Sequence, residues 1–345
     1  MSTPPRVAAL SVTFERLHQR YARLFWTLHS VWALFTGAVV LVLAHNRYGF
    51  LPWVILFLAL TWATTLFFSR LARPDASRAM RLAHGFVSYL TRIMYQETLF
   101  FLIPFYLYST TFPSWNSAYV IVLAALAILS CFDLVFDRLL REHRAFTLAF
   151  FALVTFSALQ FFLPVLLKLR VHHGSYLAAA VSLLAAMPLA FSWQELRKPR
   201  RLVAVLIGLV LAIQATRLLR PFVPPVPLRL TKLRFASAFE PRGLKVVEEV
   251  EGSVSRAALA GGKLYAVGTV FAPTALPTTV RIRFLVDGKE LRSSRTLELV
   301  AHQRGFRVWD ALRAPPGGFR AGRYRVEVRT GEGQLIGRGA LAVTD

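Results

Sequence analysis

From residue 25 to residue 219 the chain returns repeatedly to apolar stretches about 20 residues long, the length a helix needs to cross the hydrocarbon core of a bilayer. These stretches predict seven spans, near residues 25–44, 50–69, 87–111, 117–136, 146–167, 175–192 and 202–219. A mean hydropathy of +0.49 with 17% charged residues over 345 positions agrees, because a single soluble domain of that length would carry more charge. The first run lacks a small-x-small cleavage site and is expected to stay as an anchor rather than leave as a signal peptide.

The connecting pieces alternate in charge. Arg6, Arg16, Arg20 and Arg23 precede the first span; Arg70, Arg73, Arg78 and Arg81 follow the second; Arg138, Arg141 and Arg144 follow the fourth; Arg197, Lys198, Arg200 and Arg201 follow the sixth. The intervening loops hold only Arg47, Lys168 and Arg170. Basic residues stay on the cytoplasmic side during insertion, so the bias predicts a cytoplasmic N-terminus and an extracytoplasmic C-terminal region. Tryptophans 26, 53, 115 and 193 fall near span ends, where an interfacial belt would place them. The net charge of +23 is concentrated at the edges of apolar runs, which argues against nucleic acid as a partner. The bilayer is the expected partner. Residues 1–24, with Leu10, Phe14, Leu17 and Tyr21 at helical spacing, are expected to form a cytoplasmic arm with an interfacial helix.

Beyond residue 219 the pattern changes. "RPFVPPVPLRLT", residues 220–231, is too rich in proline to continue a helix and reads as a stiff linker. After it the apolar period becomes two. Val280, Ile282, Phe284 and Val286 alternate with Arg281 and Arg283 before an Asp287-Gly288 turn; Tyr324, Val326 and Val328 alternate with Arg325, Glu327 and Arg329 before "TGEG". At least six short strands follow, so the expected fold is an α-helical polytopic membrane bundle of seven transmembrane helices, N-terminus in and C-terminus out. An all-β sandwich over residues 232–345 completes it.

The closing block "GFRVWDALRAPPGGFRAGRYRVEVRTGEGQLIGRGALAV" resembles the bacterial domain of unknown function family 2914, through Gly305, Phe306, Arg307, Trp309, Gly322, Tyr324, Arg325, Val326, Gly333 and Gly337. Tyr324 stands where that family's pattern leads one to expect tryptophan. The membrane half is similar to the polytopic module of family 5924, through "ETLFFLIPFYLYSTTFPS" and "DLVFDRLL". The two resemblances imply a bacterial envelope protein in the inner membrane with a periplasmic or extracellular C-terminal domain. They imply no catalytic residue.

Within the spans one acid stands out. A helix starting near Val87 places Glu97 on the order of 15 Å into the bilayer, where a carboxylate costs roughly 2.5–3.5 kcal/mol and should face protein or water. Arg92, five positions earlier, lies too far round the helix to pair with it. The expected polar site therefore comprises Glu97, Gln96, Gln160 and Gln214, acting either as interhelical glue or as a protonatable group in a cavity. Asp133 and Asp137 form a second acidic pair that, with Glu142, suits either a divalent cation or pairing with nearby arginines. His172 and His173 are adjacent, a spacing without helical ligand logic, and read as a wet loop.

On the sandwich, Trp309 is expected either in the core or as a stacking platform, and Arg281, Arg283 and Arg325 either as a solvated face or as a surface for anionic lipid, glycan or an envelope protein. No HExxH, GxSxG, Walker or GxGxxG pattern occurs in a fitting context, and the lone Cys131 cannot form an intrachain disulfide. Neither a catalytic residue, a metal site nor a cofactor is expected. The expected function is a non-enzymatic membrane anchor that presents a binding sandwich; the alternative is a transporter or lipid-handling enzyme that uses Glu97.

Overall fold

The computed structural model describes residues 28, 31–32, 34–39, 42, 53, 56, 60, 63, 78–272, 276–299 and 305–345. The arm 1–24 lies outside the described residues, as do most positions of the first two expected spans. The helical part then comprises α1 (Arg78–Tyr108), α2 (Ser117–Ser130), α3 (Asp133–Glu142), α4 (Arg144–Leu167), α5 (Val171–Ala190), the single turn α6 (Trp193–Leu196) and α7 (Pro199–Leu218).

The expectation of seven spans is overturned. Among the described residues three helices are long and apolar enough to cross a membrane: α4, α5 and α7. The third expected span is a 31-residue helix, but Arg92, Gln96 and Glu97 interrupt its apolar run. The fourth, expected as one helix over 117–136, breaks after 14 residues. The break has a local cause. The hydroxyl of Ser130 and the thiol of Cys131 both donate back to the Ala127 carbonyl, a local bond that competes with the helix ladder. Phe132 then leaves helical geometry, and α3 starts in a new direction as an amphipathic helix.

An aromatic core joins α1, α2 and α4. Phe105 stacks on Phe161 at 4.5 Å, and Tyr95 meets Phe150 edge-on at 5.8 Å. A buried polar chain runs through this core. Ser157 donates its hydroxyl proton to the Leu153 carbonyl, so the Tyr119 hydroxyl donates to Ser157 Oγ at 2.7 Å, while Tyr106 donates to the Ser157 carbonyl at 2.8 Å. Three helices are thereby tied by hydrogen bonds centred on the fully buried Ser157. The Pro164 ring is seated on Gly174 of α5, where a Cβ would lie 2.8 Å from it. In contrast, α7 has no buried residue.

The β part has two sheets sharing one core. One has strand order β2-β1-β4-β8 and the other β3-β10-β9-β5-β6, with β7 paired to β5. The strands are β1 (Arg229–Glu240), β2 (Lys245–Val250), β3 (Ser253–Ser255), β4 (Lys263–Phe271), β5 (Thr279–Val286), β6 (Lys289–Ser293), β7 (Leu297–Glu298), β8 (Phe306–Arg313), β9 (Gly322–Thr330) and β10 (Leu335–Thr344). The period-two positions Val280, Ile282, Phe284, Tyr324, Val326 and Val328 all point into the core. The helical-then-β order of the chain is therefore observed. The sheets pack closely where glycines of β10 face leucines of β1: a Cβ at Gly337 would lie 2.5 Å from Leu230 Cβ, and one at Gly339 would lie 2.7 Å from Leu233 Cδ2.

Tyr324 makes a corner at the start of β9. Its hydroxyl donates to the Arg320 carbonyl at 3.1 Å and accepts from the Arg320 amide at 3.2 Å, tying the preceding loop to the strand. Tyr324→Phe orphans both backbone groups and should lower the stability of the β part by about 1–3 kcal/mol, read as a fall in melting temperature. Burial raises the phenol above its ordinary value of 10.0. The tyrosine contribution is therefore complete below pH 10.0 and lost as pH climbs through the raised value, so the gap between wild type and Tyr324→Phe should close at strongly alkaline pH.

The proline-rich segment does not hang free. After a 3-10 turn at Arg220–Phe222, residues 223–228 are all buried. Gln160 of α4 donates to the Pro224 carbonyl at 3.3 Å, and Gln334 of the β9–β10 turn donates to the Val223 carbonyl at 3.1 Å. Val226 belongs to the helical core and Leu228 to the β core. Around it Asn116 donates to the Leu335 carbonyl at 3.2 Å, Arg338 reaches the Pro113 carbonyl, and His172 Nδ1 lies 3.1 Å from Glu332. His172 and His173 are thus in the first turn of α5 rather than in a loop, His172 against the β part and His173 exposed.

Candidate functional site

The polar residues expected to gather around Glu97 do not converge. Glu97 is half-buried on α1, hydrogen-bonded to the Thr36 side chain, with Oε2 buried and without a partner among the described residues. Because Tyr95 meets Phe150 and Phe151 while Phe105 meets Phe161, α1 and α4 run parallel, and Glu97 is level with the turn after Phe151. Gln160 then lies on the order of 10 Å further along α4, fully buried against the proline-rich segment. Gln214 is exposed on α7, and Gln96 is buried on another face of α1 from Glu97. Of the acidic pair, Asp133 begins α3 and Asp137 follows one turn later, while Glu142 pairs with Arg138 at 3.9 Å. No group of three metal-binding side chains occurs among the described residues.

The surface residues separate as well. Arg281, Arg283 and Arg325 lie on the outer face of the six-stranded sheet, where Arg283 pairs with Glu290 and Arg281 donates to Thr296 at 2.9 Å. Arg329 on the same face pairs with the buried carboxylate of Glu327 at 2.8 Å. These arginines are largely occupied by neighbouring groups. Trp309 is on the other side of the sandwich, outside the core, in a cluster with Phe239 and Tyr265 at 5.0 and 6.5 Å.

That second face carries the groove. Register places Lys232, Thr269 and Arg307 side by side across β1, β4 and β8, and Arg234, Val267 and Trp309 in the next row. Side chains at alternate positions share a face, so both rows point outward. They floor a groove of about 1070 Å³ walled by Ser294–Glu298 on one side and Leu244 on the other. Arg234 pairs with Glu249 at 3.4 Å, and Arg307 donates to the Leu244 carbonyl at 3.1 Å. The acids at the rim are Glu298 and Asp310, the latter held by Arg292 at 3.3 Å. Lys232 and Arg307 make no ion pair among the described residues and are exposed. The groove is thus positively charged, with an aromatic wall.

Sequence reasoning found Trp309 but missed Thr269 and Arg307, which only strand pairing brings beside Lys232, and missed Lys232 because β1 hides its period. A bulge at Thr231 puts the inward leucines 230 and 233 three positions apart instead of two.

Among curated proteins, none matches the chain. The match to a family model runs past the proline-rich segment and through β1, β2 and β3 to end within β4, so it takes in both the helical part and the Lys232 side of the groove. The chain belongs to the family of unknown function DUF5924, whose model covers residues 7–266.

Proposed function

We propose that the chain is a non-enzymatic bacterial inner-membrane protein that holds its β part on the extracytoplasmic side. There it binds an envelope component or partner protein through the outer face of the four-stranded sheet. The observation that carries this reading is the groove, in which Lys232 and Arg307, exposed and without acidic partners among the described residues, flank a threonine beside an aromatic wall. Orientation is supported by the charges around the three spans. Arg138, Arg141 and Arg144 lie before or at the start of α4, and Arg197, Lys198, Arg200 and Arg201 lie before or in the first turn of α7, whereas Lys168 and Arg170 join the other ends of α4 and α5. The β part follows the end of α7 opposite that basic cluster.

A second reading, a transporter or lipid-handling enzyme, is favoured by the buried Oε2 of Glu97, which has no partner among the described residues. One complementation experiment in a null strain separates the two. Lys232→Gln combined with Arg307→Gln and Trp309→Ala should abolish complementation at wild-type expression, while Glu97→Gln complements fully. The reverse pattern would move function to the helices.

A further inference from the structure

Resting on the reading of the groove as a binding surface, the geometry points to its ligand class: the phosphate of an anionic phospholipid headgroup in the leaflet against which the β part sits. Adjacent strands are about 4.8 Å apart, so Lys232 and Arg307 flank Thr269 at about 10 Å between their Cα atoms. Long side chains from those two positions reach a single phosphate-sized anion above the threonine.

Height decides which anion is within reach. The Arg229 guanidinium lies 5.3 Å from the ring centre of Tyr108, the last residue of α1, and 4.8 Å from that of Phe271. Tyr108 is three residues beyond Phe105, which stacks on Phe161, so it is level with the last turn of the span α4. Lys232 is three residues along β1 from Arg229, no more than about 10 Å away at 3.3 Å per residue. The headgroup layer of one leaflet is roughly 5–8 Å deep beyond the hydrocarbon. The row Lys232–Thr269–Arg307 is therefore the end of the groove nearer the helices, no more than about 20 Å from Tyr108 once the Arg229 side chain is counted, and the headgroups of that leaflet are the nearest abundant anions to it. Phe306 and Trp309 in the same groove suit an interface where one side is apolar and the other wet. A soluble acidic glycan would meet the same charges but has no reason to be sought so close to the bundle.

The test uses the full chain in a zwitterionic detergent, titrated with phosphatidylglycerol or phosphatidylcholine and read by native mass spectrometry. Wild type should retain phosphatidylglycerol about thirtyfold more tightly than phosphatidylcholine, since the two cations contribute about 1 kcal/mol each near anionic lipid. Lys232→Gln with Arg307→Gln should remove that preference, Lys232→Gln alone should remove part of it, and Arg281→Gln with Arg283→Gln on the opposite face should leave it intact. An equal preference in wild type and the double variant overturns the lipid inference. Polygalacturonate, a soluble polyanion, separates that failure from the failure of the underlying reading. If it binds wild type and not the double variant while phosphatidylglycerol does not discriminate, the groove binds a glycan. If neither probe depends on the groove, both readings fall.

Discussion

Gly337→Ala should cost the β part about 3 kcal/mol, and Leu230→Ala should not rescue it. The expected contact is between the new methyl group and Leu230 Cβ at 2.5 Å, and alanine at 230 keeps that atom. Rescue requires Leu230→Gly. Gly339→Ala provides the contrast, because its nearest neighbour is the terminal Leu233 Cδ2 at 2.7 Å, which can swing aside. Its cost should be about 1 kcal/mol and should vanish in Leu233→Ala, the room left by the leucine accepting the methyl group. Thermal unfolding of the full chain in detergent checks both, with Trp309 as the only tryptophan in the β part. At roughly 4–8 °C per kcal/mol the Gly337 variant should melt on the order of 15 °C lower. Equal effects at the two glycines would mean that the sheets are not held at this separation by β1 and β10.

Asn116→Leu combined with Gln334→Leu should loosen the β part from the helices without unfolding either. Each substitution removes a buried donor and leaves a carbonyl, Leu335 or Val223, without its partner, at about 1–3 kcal/mol apiece. The sensitive readout is hydrogen exchange at Val226 and Leu228, whose amides donate to the Pro224 and Pro225 carbonyls at 2.9 Å within the buried segment. Exchange there should accelerate by roughly tenfold for every 1.4 kcal/mol lost, about a hundredfold for the pair, while Val326 in β9 stays protected. Unchanged exchange at Val226 would mean that the proline-rich segment is held by the helices alone.

These two results test features that differ in how far the sequence announces them. The alternation in β5 and β9 and the Asp287-Gly288 turn are local, and the strands occur where the residues place them. The spans α4, α5 and α7 are likewise legible, since a continuous apolar run suffices. Hydropathy summed over 20 positions is blind to the break at Cys131 and Phe132, however, because neither residue lowers the sum. It also overcounts the helix bearing Glu97. The groove was illegible for a different reason: Lys232, Thr269 and Arg307 are brought together by strand pairing, and two bulges in β1 disguise the period that would reveal the first of them. That Trp309 and the pair Arg281 and Arg283 belong to different sheets was illegible on the same ground, because composition does not say which sheet a strand joins.

The burial of residues 223–228 also limits reach. Six residues of free chain would let a tethered domain sweep through a shell of roughly 20 Å, at 3.3 Å per residue. Clamped between Gln160 and Gln334, the same segment gives the β part a fixed altitude and a fixed heading. In the membrane setting proposed above, such a domain would sample its surroundings only as fast as the bundle turns in the bilayer plane, and its encounters would be two-dimensional, with whatever diffuses past at a single depth.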